Sequence, residues 1–247
     1  MFIIGLGGLL SISNLDAEET PAPGGKPEPK IAESKTSLLH DVYADVSYQS
    51  KYLGTFGFTI SDKPVSQNDF GFSLGRLNYN LWANFDVASG KPNEVDNQLS
   101  LSLSTKYVNI QPDVLYFTFP NTQIPDSVTT GIALSSKDLP IDLKLYGVQA
   151  FSGISQEGRL YQFTAGKTFK LNEEINMRVY SNVTYNEHYF NKGNGFSHVA
   201  GGIDVSYNLG KGFTFTGSVR GQEYIDSLGG TFKDNWVWGL NLNKKFK

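Results

Sequence analysis

Charged side chains recur in this chain at alternate positions, several of them between apolar neighbours. Asp142 and Lys144 alternate with Leu143 and Leu145, Arg178 with Met177 and Val179, Asp204 with Ile203 and Val205, and Arg220 follows Val219. Asp45, Lys51, Asp96 and Lys106 fall on the corresponding parity of their own segments. A period of two belongs to an extended strand and puts these groups on one face. Charges of both signs on one polar face can attract, repel or steer ions and polar solutes. Catalysis would ask for more, namely an imidazole beside a serine or a carboxylate. The chain has three histidines, His40, His188 and His198. His188 and His198 flank one loop, with Glu187 adjacent, and could serve as a base or hold a metal. No fixed-spacing motif supports either role, and no G-x-S-x-G, H-E-x-x-H or phosphate-binding loop occurs. The absence of cysteine removes disulfides, thiol chemistry, Cys-type metal sites and lipid attachment through an N-terminal Cys. The sequence therefore predicts no catalytic site, no metal and no cofactor.

The elements that position these residues are best read from Gly201–Glu223. Ile203, Val205, Tyr207 and Leu209 alternate with Asp204, Ser206 and Asn208. Gly210-Lys211-Gly212 interrupts the run, and Phe213, Phe215 and Val219 then alternate with Thr214, Thr216, Ser218 and Arg220. This is a β-hairpin by period and by turn chemistry. Its expected register pairs Leu209 with Phe213, Tyr207 with Phe215 and Val205 with Gly217, so that paired residues share a face. Arg220 then faces Gly202 and lies diagonal to Asp204. A second hairpin across Asn172-Glu173-Glu174 pairs Thr168 with Arg178. From Leu39 onward the same alternation yields twelve strands and no convincing helix. Residues 108–119 are ambiguous, being apolar on both faces near Val114–Phe119. The segment after residue 138 reads as a strand beginning at Leu139.

Connection lengths give a second line of argument. Breaks near 75–77, 107–109, 136–138, 172–174 and 210–212 are short. Those near 53–68, 88–94, 120–127, 152–157, 187–196 and 226–234 are longer, and the two kinds alternate. The sequence thus predicts an all-β, closed, antiparallel up-and-down transmembrane barrel of twelve strands, strand one pairing with strand twelve. Both termini lie on the tight-turn side, as in outer-membrane barrels. No apolar run reaches 18 residues, so no transmembrane helix is expected, and a barrel strand needs only one apolar face. The other face carries Asn, Ser, Thr, Gln and charges on nearly every strand. A dry core of that kind would cost roughly 1–3 kcal/mol for each unpaired group, so the polar face is expected to line a wet lumen. Tyr107, Phe169, Tyr207, Phe213 and Phe246 near the tight turns, and Tyr185, Tyr189, Tyr224 and Trp236 near the long loops, read as two interfacial girdles.

Residues 1–17, with the apolar run FIIGLGGLLSI, read as a secretory signal without a basic n-region. Residues 18–37, rich in proline and charge, read as a disordered linker or tail, leaving 38–247 as the barrel. Within it, YADVSYQSKYLGTFG, Pro64-Val65-Ser66-Gln67 and Trp82-Ala83-Asn84-Phe85-Asp86 resemble the start of the TorF family of Gram-negative outer-membrane porins. Tyr116-Phe117-Thr118-Phe119-Pro120 and the final Phe246 extend the resemblance over about 41–246. The family's Arg-Gly pair near the end of the first strand is replaced here by Leu53-Gly54, and Lys247 follows the terminal aromatic. The resemblance implies an outer-membrane location and a channel, without a substrate.

Two readings follow for the inward charges Arg178, Arg220, Asp204, Lys144, Asp142, Asp45, Lys51 and Lys106. In one they line a pore for small polar solutes or ions and select weakly by charge. In the other they brace a plugged barrel whose extracellular loops, 53–68 and 187–196 foremost, do the work. The expected partners are outer-membrane lipid, the outer-membrane assembly machinery and small solutes. A net charge of −3 implies no nucleic acid.

Overall fold

The structure is a computed structural model that describes residues 39–54, 59–153, 158–189, 193–225 and 235–246. The expected signal (1–17) and linker (18–37) lie outside the described residues. Fifteen strands follow in chain order among the described residues: β1 (Leu39–Gln49), β2 (Tyr52–Leu53), β3 (Thr59–Ser61), β4 (Val65–Leu74), β5 (Leu77–Asp86), β6 (Pro92–Leu101), β7 (Leu103–Ser104), β8 (Val108–Thr118), β9 (Ser127–Ser136), β10 (Asp142–Ala150), β11 (Arg159–Lys170), β12 (Ile175–Glu187), β13 (Asn194–Gly210), β14 (Phe213–Tyr224) and β15 (Asn235–Lys245).

Twelve strands make the wall. The sheet runs β6-β5-β4-β1-β15-β14-β13-β12-β11-β10-β9-β8, and β6 pairs with β8 to close it. Short β7 continues β6 past Ser102, whose N–H bonds the Arg76 carbonyl at 2.8 Å. β2 and β3 form a separate hairpin in the first long loop. Every pairing in the wall is antiparallel, including first strand to last, where Asp45 meets Asn243 and Tyr48 meets Leu240. At the tight-turn rim the same two strands are joined by an ion pair, Lys245 Nζ to Asp41 Oδ1 at 2.7 Å. Closure removes the edges that an open sheet of this width would present.

Alternation sorts the side chains as the period of two requires. Val46, Phe70, Leu99, Ile132, Phe163, Ile203, Val219 and Leu242 are exposed on the outer surface. Their neighbours in sequence turn inward, and many, such as Gln67, Asn84, Ser100, Thr129, Gln162 and Thr184, are buried. A barrel that shows water this much contiguous apolar surface would aggregate; the belt is what a hydrocarbon layer solvates.

Four local readings need correction. The 53–68 loop is shorter than expected, because β4 begins at Val65. β10 begins at Asp142, so Leu139 and Ile141 belong to the connection, where Asp138 has a positive φ of 56°. At the β13–β14 turn, Gly210 rather than Leu209 pairs with Phe213, after a register shift between Asn208 and Gly210. Lys211 and Gly212 both have positive φ, 52° and 79°, the two-residue turn whose twist matches that of the strands. A Cβ on Gly212 would also strike the Lys245 carbonyl oxygen. Gly212→Ala is therefore expected to destabilise the barrel by about 1–3 kcal/mol, read from the urea midpoint in lipid vesicles; an unchanged midpoint would remove the turn from the list of structural determinants.

The fourth correction concerns the lumen, which is not polar on every strand. Leu115, Phe117 and Phe119 point inward and pack with Ala133, Tyr146, Val148, Ala150, Leu160 and Tyr189. This resolves the ambiguity of 108–119. Val114 and Tyr116 face outward, while Leu115 and Phe117 belong to an internal cluster toward the long-loop end of β8–β11. Tyr189, expected in the outer girdle, is fully buried there. Tyr224, also expected outward, shares the inward face with Arg220 and Gln222 and lies 6.2 Å, centroid to centroid, from His198. The outer aromatics at that end include Tyr48, Phe151, Tyr161, Phe196, Trp236 and Trp238, all exposed, with Tyr185 against Phe196 at 5.4 Å.

Candidate functional site

The polar lumen wall is the candidate site, and cross-strand register fixes which side chains meet on it. Arg178 on β12 stands opposite Asp204 on β13 and Thr168 on β11. Its guanidinium lies 5.3 Å from the centre of the Tyr180 ring. Arg220 on β14 stands opposite Gly202, and Asp204 opposite Ser218, so Arg178, Asp204 and Arg220 form one patch over three adjacent strands. Gly202 leaves room for Tyr180, which lies flat over it; a Cβ at Gly202 would stand 2.6 Å from the ring. Tyr146 covers Gly131 in the same way, also at 2.6 Å, and Tyr43 covers Gly71. The Arg220 Nε and Nη2 atoms are buried without a hydrogen-bond partner. Lys144 on β10 points inward, its Nζ 5.8 Å from the Tyr146 ring centre.

Asp45 on β1 faces Asp69 on β4 directly. Asn243 donates to Asp45. Asn80 donates to Asp69 and, at 2.7 Å, reaches the Tyr43 hydroxyl. Asp113 on β8 accepts from Gln98 Nε2 at 3.0 Å and from the Tyr146 hydroxyl at 3.3 Å. Glu94 and Asp96, two apart on β6, are buried toward the long-loop end. Tyr52, carried inward by the first long loop and packed with Val65 and Trp82, donates its hydroxyl to Glu94 Oε2 at 2.9 Å.

The remaining sequence candidates occupy the two rims. Lys51 sits just past β1 at the long-loop mouth, with Nζ 3.2 Å from Asn235 Oδ1 and 3.9 Å from Asp62 Oδ1. Asp142 opens β10 at the tight-turn rim and is exposed. Lys106 is not on the wall. The turn begins at Thr105, whose N–H bonds the Val108 carbonyl at 2.9 Å, and Lys106 is left exposed with its Nζ 5.0 Å from the Tyr107 ring centre. Parity counting carried Lys106 inward because it ran the strand through that turn. Sequence reasoning missed Asp69, Glu94 and Asp113 as inward charges. Asp69 fell at the boundary just after the expected 53–68 loop and Asp113 inside the ambiguous segment; Glu94 closed an expected loop.

The two loop histidines do not form a pair. His188 has a positive φ of 56° and bridges to Arg159. His198 is buried in the wall of β13, its ring nitrogens 3.3 Å from Thr184 Oγ1 and 3.1 Å from Ser197 Oγ. Among the described residues no three His, Cys, Asp or Glu side chains gather closely enough to hold a metal.

The inward polar groups enclose open space. A cavity of about 400 Å³ reaches from His40, Asp41 and Lys245 at the tight-turn rim to Lys144, Ala133 and Gln98 in depth. Tyr43, Asn80 and Asn243 border it from the other side. It therefore runs from wall to wall. Above it, the aromatic clusters around Tyr52 and Tyr189 fill much of the long-loop half.

No protein-family model and no curated protein matches the sequence. Solved structures do. The structure described as "KdgM porin" superposes with a TM-score of 0.57 at 9% identity, covering 83% of this chain and 100% of that one. "KdgM porin in complex with disordered oligogalacturonate" matches with a TM-score of 0.54 at 7% identity, covering 84% and 99%. "NanC porin structure in rhombohedral crystal form" matches with a TM-score of 0.51 at 8% identity, covering 83% and 99%. At such identities the likeness is one of fold: a closed twelve-strand barrel of the kind porins use.

Proposed function

We propose that this chain is an outer-membrane channel through which small polar solutes or ions diffuse passively. The observation that carries the reading is the wall-to-wall polar cavity inside a barrel with an apolar exterior. A polar interior of this extent is stable only when wet, because buried groups left without partners are costly. Likeness of fold to porins whose whole length this barrel covers supports the same reading. Affiliation with TorF-type porins belongs to it too, supported by the strand count and by termini on the tight-turn rim. Residues 1–17 would then target the chain for export and 18–37 form a tail. The chain's partners would be outer-membrane lipid and, through the aromatic near its end, the assembly machinery. This reading includes no enzymatic role: His188 and His198 do not form a pair, and His198, with its ring against Thr184 and Ser197, is buried in the wall.

A second reading, a plugged barrel that works through its loops, is favoured by one observation. Tyr52, Trp82, Phe117 and Tyr189 are buried within the long-loop half of the lumen. Planar-bilayer recordings of refolded protein separate the two. Steady ohmic steps in KCl are expected. Silence from barrels that are folded by gel shift and circular dichroism would establish the plugged form.

A further inference from the structure

The inward charges are unevenly distributed around the wall: one arc is acidic, and the inward cations of the wall gather on the other. β1, β4, β5, β6 and β8 are consecutive in the sheet, and β10 to β14 form the opposite arc. On the first arc every charged side chain that the pairing register turns inward from the described strands, above the Asp41–Lys245 rim pair, is a carboxylate: Asp45, Asp69, Glu94, Asp96 and Asp113 among them. On the second, Lys144, Arg178 and Arg220 point inward, with Asp204 between the two arginines and Asp142 exposed at the tight-turn rim. Lys51, at the end of β1, is engaged at the mouth by Asn235 and Asp62 and lies above this level.

We propose that the lumen favours small zwitterions, solutes with one carboxylate and one ammonium group, by holding them crosswise between these arcs. The inference rests on the channel reading above. Two observations converge on it. The cavity touches Lys144 on the basic arc and Tyr43, Asn80 and Asn243 beside the Asp45–Asp69 pair on the acidic arc, so one solute can address both. The directly opposed Asp45 and Asp69 receive donors only from amides in the hydrogen bonds seen here, which leaves an ammonium group as the complementary charge. A singly charged ion is drawn to one arc and repelled by the other, and a neutral solute gains from neither field. Only a solute with both charges gains at both ends, and low-dielectric walls keep that gain from being screened away.

The test compares swelling of proteoliposomes in isotonic β-alanine and glycine with swelling in the uncharged propionamide and acetamide. KCl conductance of the same preparations reports whether the barrels are open. Each zwitterion is expected to enter about fivefold faster than its neutral counterpart, equivalent to ~1 kcal/mol. The ratio is expected to fall toward one in Asp45→Asn/Asp69→Asn and, independently, in Lys144→Gln/Arg178→Gln. If one pair fails to fold, the other decides. Equal rates in a wild-type barrel that conducts KCl would overturn zwitterion selection and leave the channel standing. A ratio that survives both double substitutions would show that the arcs are not its source. Folded barrels that pass no KCl would overturn the channel reading and this inference with it.

Discussion

Replacing Phe117 with alanine is expected to cost about 3–5 kcal/mol. Phe117 has no exposed surface. Its ring stacks on Phe119, 6.3 Å between centres and 8° from parallel, and it belongs to the cluster with Leu115, Val148, Leu160 and Tyr189. Those neighbours sit on three wall strands and on the connections after β8 and β12, so they cannot collapse together into the vacated space, and the cavity cost adds to the lost burial. Val114, three residues earlier, faces outward and is about half exposed. Val114→Ala removes contacts with lipid that other lipid atoms replace, and about 1 kcal/mol or less is expected. Denaturant titration of both variants in lipid vesicles gives the comparison. A Phe117→Ala loss no larger than that of Val114→Ala would mean that the cluster is loosely filled and the long-loop half of the lumen more open than the packing indicates.

Arginine on the outer wall should be nearly as damaging. Ile203 is 48% exposed and lies mid-strand, with Val179 and Val219 beside it on the same face. Ile203→Arg puts a charge against hydrocarbon and is expected to cost about 2–4 kcal/mol if the position lies near the bilayer midplane. Leu99→Arg, between Tyr79 and Val114, should behave likewise. Gln98→Arg moves the same charge one residue, to the inner face beside Asp113, which Gln98 already bonds at 3.0 Å. A water-lined ion pair there is worth little, about 0–1 kcal/mol, so little change is expected. If Gln98→Arg is the more harmful substitution, the faces have been assigned the wrong way round.

The closed barrel was legible in the sequence because its two signals are local. Alternation along Ile203–Leu209 or Leu99–Leu103 needs no knowledge of partners, and neither does the alternation of short and long connections. The patch of Arg178, Asp204 and Arg220 was legible for the same reason: two hairpins with clear turns carry their own register. What was not legible depended on contacts distant in sequence. Leu115 and Phe117 read as ambiguous because an inward apolar residue makes sense only once Tyr189, some seventy residues on, is known to cover it. Tyr189 and Tyr224 read as girdle residues because aromatics at strand ends usually anchor there; parity could not be carried through the 187–196 loop to Tyr189, whereas at Tyr224 the parity of Arg220 already pointed inward. The uneven distribution of charge around the wall was hidden altogether. It appears only when β6 closes on β8 and β1 on β15, so that strands far apart in the chain become opposite walls.

The tyrosines laid over glycines govern the width of the passage from an unexpected place. Tyr43, Tyr146 and Tyr180 are large enough to span much of a narrow tube, yet each lies down on the neighbouring strand because Gly71, Gly131 or Gly202 offers no side chain there. The bore at these levels is thus set by what the adjacent strand lacks. Adding a single methyl group at any of the three glycines would tip a ring off the wall and into the path, so the smallest change of residue would act as a constriction several times its own size.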